Sequence, residues 1–336
     1  MKAMKKFIIN KIKKLPYLRD VFNELDALKA RLSLAKVPSI ASLVSIDGGH
    51  TSYENLLPVS AYYSDNDIPP ERWLHFDEVK LEKSLCEYIK HDTYPIPSTS
   101  DREGYFGPRH YHYWLSGLKD YLNIKHALRK HGRHVNDLSS VLDLGCASGR
   151  VLRHFSCQEN NLDLWGADIN SRHTEWIRRF LSPSLKIFQN TVLPHLPIED
   201  NTFSLIYAFS VFTHIDEFEM AWIAEIRRIL KEGGLAYLTI HSDNTWKNIK
   251  SAAPLYANLM AMKEYIHEYE VTPELFKMPM PAEKTVFKWA SVSTYNTNVF
   301  HSISYINDVW GRFLEVVDVF KEGHNYQDVI LLRKRS

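Results

Sequence analysis

The sequence predicts an α/β fold built on a parallel sheet, and three stretches carry that prediction. Residues 139–155, SSVLDLGCASGRVLRHF, read as a buried aliphatic strand, a glycine-bearing turn and an amphipathic helix starting at Arg150, with Val151, Leu152 and Phe155 on one face. Residues 161–170, NLDLWGADIN, give a second apolar strand that ends at Asp168. Residues 203–209 and 235–240 are two further apolar runs, joined by a helical stretch that ends in basic residues. Strand and helix in alternation over about 100 residues imply right-handed crossovers and a parallel sheet.

The first hundred residues are of another kind. Residues 1–36 read as a helical arm in two pieces. Met4, Ile8, Ile12 and Leu15 share a face ringed by lysines, Pro16 interrupts, and Val21, Leu25, Leu28 and Leu32 follow at coiled-coil-like spacing. Such an arm suits self-association or a protein partner; its basic, amphipathic first piece also suits peripheral contact with an anionic inner-membrane surface. Residues 37–104 read as an irregular linker, a helix over 72–90, and a turn-rich stretch. Residues 105–336 form the main domain. Within it, 242–304 reads as an irregular insert at the C-terminal edge of the strands, placed to cap a substrate. Residues 313–319 and 326–332 read as a hairpin turning at Lys321-Glu322-Gly323.

Composition sets outer bounds. The chain has 336 residues, 45% apolar and 24% charged, with net charge +1. That is ordinary for a globular protein and gives no sign of nucleic-acid binding. Three cysteines without C-x-x-C spacing indicate neither a disulfide framework nor a zinc site, and no carboxylate or third histidine joins His110 and His112 at ligand spacing. No apolar run approaches a membrane span and no signal peptide is evident, so the cytoplasm is the expected location.

The turn decides which nucleotide the sheet would hold. A dinucleotide fingerprint, G-x-G-x-x-G, counted from Gly145 meets Ala147 and Arg150 where glycines belong, and no phosphate-loop pattern occurs. The pattern D-x-G-x-x-x-G, Asp143 to Gly149, instead resembles motif I of class I S-adenosylmethionine (SAM) methyltransferases. The chemistry agrees: SAM carries an ammonium and a sulfonium, which a carboxylate attracts where it would repel a diphosphate. Asp168 lies nineteen positions past Gly149, close to the spacing of a ribose-binding carboxylate. The resemblance covers roughly residues 105–335. It includes WLSGLKDYLNIKHALRKHG before the motif, SVFTH after the fourth strand, and the closing HNYQDVILLRK. It points to a bacterial branch found beside glycosyltransferase and glycan-assembly genes. It implies a Rossmann-like sheet of seven strands whose last two form an antiparallel hairpin. The chain departs from the family at Ala147, where glycine is common.

From these residues follow the candidate roles. Asp143, Gly145, Cys146, Ala147 and Gly149 would hold the methionyl end of SAM; Asp168 with Ile169 the ribose; Asn190 the adenine; Ser210 the edge of the same pocket. Tyr105, Arg109, His110 and Tyr113, in an aromatic and basic stretch, are candidates for contact with the substrate near the sulfonium. His214 is the candidate general base, with His241 second. The resemblance implies methylation of a sugar or glycan hydroxyl. A non-catalytic SAM-fold subunit and a nicotinamide oxidoreductase are the other classes left open.

Overall fold

The computed structural model describes residues 83, 85–97, 99–107, 109–249, 253–289 and 296–335. The helical arm and its expected self-association or membrane contact lie outside the described residues, as does most of 37–84. Five parallel strands stand at the centre: β1 (Ser140–Leu144), β2 (Asp163–Asp168), β3 (Lys186–Gln189), β4 (Phe203–Ala208) and β5 (Leu230–Ser242), ordered β3-β2-β1-β4-β5. Two more strands, β8 (Glu315–His324) and β9 (Gln327–Arg333), extend the sheet, β9 running antiparallel to β5 and β8 antiparallel to β9. These are the seven strands that the family resemblance implies. The insert adds a hairpin, β6 (Lys284–Lys288) and β7 (Thr297–His301), whose β7 pairs with the end of β5 at His241 and Ser242.

The pleat sorts the apolar residues onto two faces. Val141, Leu205, Tyr207, Leu235 and Tyr237 pack on one side, against α1 (Leu85–His91), α2 (His110–Lys130) and α3 (Leu152–Gln158), with Trp176 and Ile177 of α4 (Ser171–Phe180). Their neighbours Leu142, Ile206, Ala208, Ala236 and Leu238 pack on the other, against Trp222, Ile223 and Ile226 of α5 (Glu219–Ile229). Both faces are covered, which is why these strands read as continuous apolar runs rather than as alternating ones. The insert, with α6 (Asp243–Asn248) and α7 (Pro254–Met262), has its own small core of Trp246, Leu259, Phe276, Phe287 and Phe300. It is thus more regular than its proline-rich sequence suggests.

One buried ion pair joins the segment before α2 to the helix after motif I. Arg153 donates from Nε to Asp92 Oδ2 at 2.7 Å and from Nη2 to Oδ1 at 2.9 Å, and Trp114 Nε1 donates to the same Oδ2 at 2.7 Å. Burial alone would raise the Asp92 pKa, but the Arg153 guanidinium holds it below the usual carboxylate value.

Three boundaries differ from the sequence reading. The helix after motif I begins at Leu152 rather than Arg150, because turns occupy the residues before it. The strand expected over 235–240 runs from Leu230 to Ser242: α5 passes straight into it, and Gly233 and Gly234 sit inside β5, where the pairing with β4 slips register. The C-terminal hairpin turns at Asn325 and Tyr326, not at Lys321-Glu322-Gly323. Those three residues bulge within β8, where Glu322 donates its N–H to Asp328 Oδ1 at 2.8 Å. Among the described residues no helix is long and apolar enough to cross a membrane.

Candidate functional site

A cavity of about 570 Å³ opens where the ends of β1, β2 and β4 meet. This is the point where strand order reverses about β1, the usual ligand crevice of open α/β sheets. Its floor is the motif I turn. Gly145 takes φ 79° and a Cβ there would collide with Val211 Cγ2, so glycine is required on both counts. The turn is held by its own backbone: the Gly145 and Cys146 N–H groups donate to the Ala167 carbonyl at 2.8 and 3.0 Å. Ala147, the departure from the family pattern, adopts φ 45°. An L-residue pays about 1 kcal/mol for that conformation. The compensation is local, since the Ala147 N–H donates to Asp168 Oδ2 at 2.8 Å.

Asp168 therefore does two things. Its second oxygen accepts the Asn170 N–H at 2.8 Å, so the carboxylate is fixed between the two turns while still lining the cavity. Asn190 follows β3, with its N–H on the Asp168 carbonyl at 3.1 Å. Its buried side-chain oxygen has no hydrogen-bond partner among the described residues, so it can accept from a ligand amine. Asp143 is 3% exposed, in register with Tyr207 across β1 and β4. Burial pushes its pKa up to about 8. It is thus mostly a neutral acid at pH 7, ready to ionise when a cation arrives.

Asp143, Gly145, Cys146, Ala147, Asp168, Ile169, Asn190 and Ser210 all line the cavity. Gly149 does not. It shapes the turn at φ 80°, and a Cβ there would lie 2.6 Å from Leu181 Cδ1, so it is held by packing beneath the floor. Of the aromatic stretch, Tyr105 and Tyr113 reach the wall, and Arg109 and His110 do not. His110 contacts Arg102 at 3.1 Å instead, behind the wall that Arg102 itself lines. His214 lines the cavity, with Nδ1 2.6 Å from the Thr297 carbonyl oxygen. A carbonyl only accepts, so Nδ1 carries the proton and Nε2 is the basic nitrogen. Burial lowers the His214 pKa, which keeps the ring neutral at pH 7. His241 is not part of the wall: it is 2% exposed, stacked on Tyr326 and tilted against Phe300, and Tyr326 is the residue that lines the cavity. Burial drives its pKa well below normal, so it is a neutral core ring.

Several wall residues had no role in the sequence reading. Arg150 donates to Asp120 at 2.5 Å and lies over Phe209. His324, Tyr326 and Gln327 come from the tip of the β8–β9 hairpin; Gln327 Nε2 donates to Ser210 Oγ at 2.9 Å, and His324 Nδ1 contacts Asp120 at 2.9 Å. The closing HNYQD run was the available signal, read only as a mark of resemblance. Lys288, Asn296 and Thr297 enter from the insert, and Asp216 and Glu217 from the loop after β4. The two are lashed together by Lys284 to Asp216 at 3.0 Å and to Glu219 at 2.6 Å, and by Lys288 to Glu217 at 2.7 Å. Among the described residues no three His, Cys, Asp or Glu side chains gather as a metal site requires.

Comparison with known proteins agrees with this geometry. Residues 141–234 match a family model described as a methyltransferase domain. The chain is 27% identical over 195 residues to an uncharacterised protein of Methanocaldococcus jannaschii, covering 54% of this chain and 78% of that one. It is 31% identical over 112 residues to the sterol 24-C-methyltransferase of Schizosaccharomyces pombe, covering 32% of this chain and 29% of that one. Among solved structures, a Burkholderia thailandensis 1,6-didemethyltoxoflavin-N1-methyltransferase with bound S-adenosylhomocysteine aligns with TM-score 0.43 at 12% identity, over 66% of this chain and 80% of that one. A SAM-dependent methyltransferase of Methanosarcina mazei aligns with TM-score 0.41 at 18% identity, over 58% and 92%. The matched residues run from β1 into β5 and contain the floor of the cavity, in a sheet whose β3-β2-β1-β4-β5 order is closed by an antiparallel pair: this part of the chain is similar to a methyltransferase domain.

Proposed function

We propose that the protein transfers the methyl group of SAM to a hydroxyl of a sugar or glycan, with His214 as general base and the insert 242–304 as the substrate cap. In this reading Asp143 and residues 145–147 hold the methionyl end, Asp168 the ribose hydroxyls and Asn190 the adenine. Methyl transfer from a sulfonium is an in-line displacement, so most of the acceleration comes from holding acceptor and methyl in line. A sugar hydroxyl is a poor nucleophile while it keeps its proton. The observation that carries the proposal is the His214 ring, neutral at the cavity wall with its Nδ1 proton held by Thr297, a residue of the insert. Nε2 takes the hydroxyl proton as the oxygen–methyl bond forms and the methyl–sulfur bond breaks; S-adenosylhomocysteine leaves neutral at sulfur. The same cavity wall mixes Asn296 and Thr297 with two exposed aromatics, Tyr105 (56% exposed) and Phe218 (52%). That mixture suits a sugar ring, which presents hydroxyls at its edge and C–H groups on its face.

The test is a panel of glycosides, nucleotide sugars and non-sugar acceptors incubated with the full chain and methyl-labelled SAM. Label on a sugar oxygen is the expected outcome. Label only on amines, carboxylates or carbon acceptors would replace the sugar reading while leaving the methyltransferase domain intact.

A further inference from the structure

Three residues from separate parts of the chain meet at one side of the cavity. Asp120, of α2, is 2% exposed. One of its carboxylate oxygens accepts from Arg150 Nη1 at 2.5 Å, and the other lies 2.9 Å from Nδ1 of His324, the last residue of β8. Burial alone would raise the Asp120 pKa, but His324 and Arg150 bring it down to about 2, so the group is a carboxylate at pH 7. Burial lowers the His324 pKa despite that neighbour, so the ring is neutral. A carboxylate only accepts, so the single ring proton sits on Nδ1 and Nε2 presents a lone pair. Phe209 packs on the same ring, with 4.9 Å between centroids. Arg150, Phe209, His324 and Asn325 line the cavity and Asp120 does not, so the carboxylate backs the ring from outside the ligand space.

Nε2 lacks a close partner. Asn325 Nδ2 stands 3.5 Å from it, longer than the roughly 2.7–3.2 Å of a normal N–H hydrogen bond, and no other group among the described residues meets it. With the tautomer locked, this atom accepts a hydrogen bond and cannot donate one. A ligand placed against it must therefore bring a donor; an ether, carbonyl or carboxylate would set lone pair against lone pair. His214 enters the same cavity from the loop after β4 and is held by the insert, whereas His324 enters from the β8–β9 hairpin and is held by α2. We infer that His324, oriented by Asp120, accepts a hydrogen bond from a second, unmethylated hydroxyl of the acceptor, which makes the substrate a polyol rather than a lone alcohol; this rests on the sugar reading of the site. The two imidazoles then divide the work. His214 takes the proton of the hydroxyl that reacts, and His324 holds a hydroxyl that does not. Asp120 is a positioning residue that acts through the ring.

The test uses the full chain, methyl-labelled SAM, the glycoside that takes label most readily in the acceptor panel, and the monodeoxyfluoro analogues of that glycoside. Fluorine replaces the hydroxyl without its proton, so it removes the donor. With the wild type, one analogue fluorinated away from the methylated position should lose about 10- to 100-fold in kcat/KM, the scale of a buried polar group left unmet. In His324→Ala the parent glycoside should lose about 3- to 10-fold, mainly through KM. The penalty of that analogue should shrink to within about threefold, as a double-mutant cycle requires of two groups that pair. His324→Gln should restore part of the loss, because its amide oxygen also accepts. Asp120→Asn releases the tautomer, so there too the penalty should shrink. Affinity for S-adenosylhomocysteine, by calorimetry, should stay within about twofold in both His324 variants. A fluorine penalty that His324→Ala leaves unchanged, no penalised analogue at all, or an equal loss of S-adenosylhomocysteine affinity would overturn the inference and leave the sugar reading standing. A wild type that labels no sugar would overturn the sugar reading, and this inference with it. Should His324→Ala fail to fold, His324→Gln and Asp120→Asn decide by the same penalty.

Discussion

The raised pKa of Asp143 makes the affinity for SAM depend on pH in a calculable way. In the empty pocket the carboxyl has its pKa near 8 because it is buried, and a ligand ammonium favours the ionised form. With that value, about 1% of molecules are ionised at pH 6, about 10% at pH 7 and about half at pH 8. If the bound state requires the carboxylate, affinity rises close to tenfold per pH unit between 6 and 7, and about 50-fold in all from 6 to 8. Each tenfold step is about 1.4 kcal/mol. The ligand's own α-amino group loses its proton over the same range, near pH 7.7–8.0, which cuts the rise to roughly 20-fold by pH 8 and places the maximum there. Calorimetry in buffers of differing ionisation enthalpy reads both affinity and proton release; close to one proton should leave per SAM bound at pH 7. Asp143→Asn should bind more weakly and lose the slope. The same shift acts on stability with the opposite sign. A carboxyl whose folded pKa is raised contributes stability that is complete below its unfolded value near 4 and lost as pH rises through 8. Asp143→Asn, which mimics the neutral acid, should therefore raise Tm at pH 8 while weakening SAM. A flat affinity from pH 6 to 8 in the wild type, or an Asp143→Asn variant that keeps the slope, would refute the reasoning.

Three further outcomes follow from the geometry. Asp168→Ala should weaken SAM binding by about 1.5–3 kcal/mol, the scale of a charge-assisted hydrogen bond, and unchanged affinity by calorimetry in a folded variant would place the ribose elsewhere. His214→Ala should lower kcat at least about 100-fold with SAM affinity within about twofold, and His214→Gln should not restore it, because an amide orients an acceptor without taking its proton. At saturating SAM the wild-type kcat should hold to lower pH than an ordinary imidazole would allow, because burial lowers the His214 pKa. Asp92→Ala strands the fully buried Arg153 and should cost about 3–5 kcal/mol in urea denaturation; a loss under about 1 kcal/mol would mean that water or another acceptor takes over.

The sheet was legible because strands buried on both faces are mostly apolar without strict alternation, and the centres of β1, β4 and β5 are. Asp168 was legible because the end of a strand at a set distance from the turn is a local feature. Arg102 was not. Nothing in Ser100-Asp101-Arg102-Glu103 distinguishes an arginine with no carboxylate partner among the described residues from the charged residues around it, whose partners only the fold reveals. His241 misled for a related reason. It stands next to the end of β5 as His214 follows β4, but Tyr326, from a hairpin more than eighty residues on, stacks on it. The true turn of that hairpin was hidden too, because Glu322 and Gly323 are good turn residues used here for a bulge.

The cavity wall draws on residues from Arg102 to Gln327, so no fragment shorter than that stretch contains it. A ligand in that cavity ties together the segment before α2, the motif turn, the insert and the C-terminal hairpin. By mass action it adds about 2.7 kcal/mol of stability at a hundred times its Kd. That gain is shared by every element that must be in place to make the wall. Slowed amide exchange on SAM binding should therefore reach β9, which pairs with β5 well outside the matched domain, as clearly as it reaches the turn itself. Occupancy of the pocket is in that sense a measure of whether the whole described fold has closed.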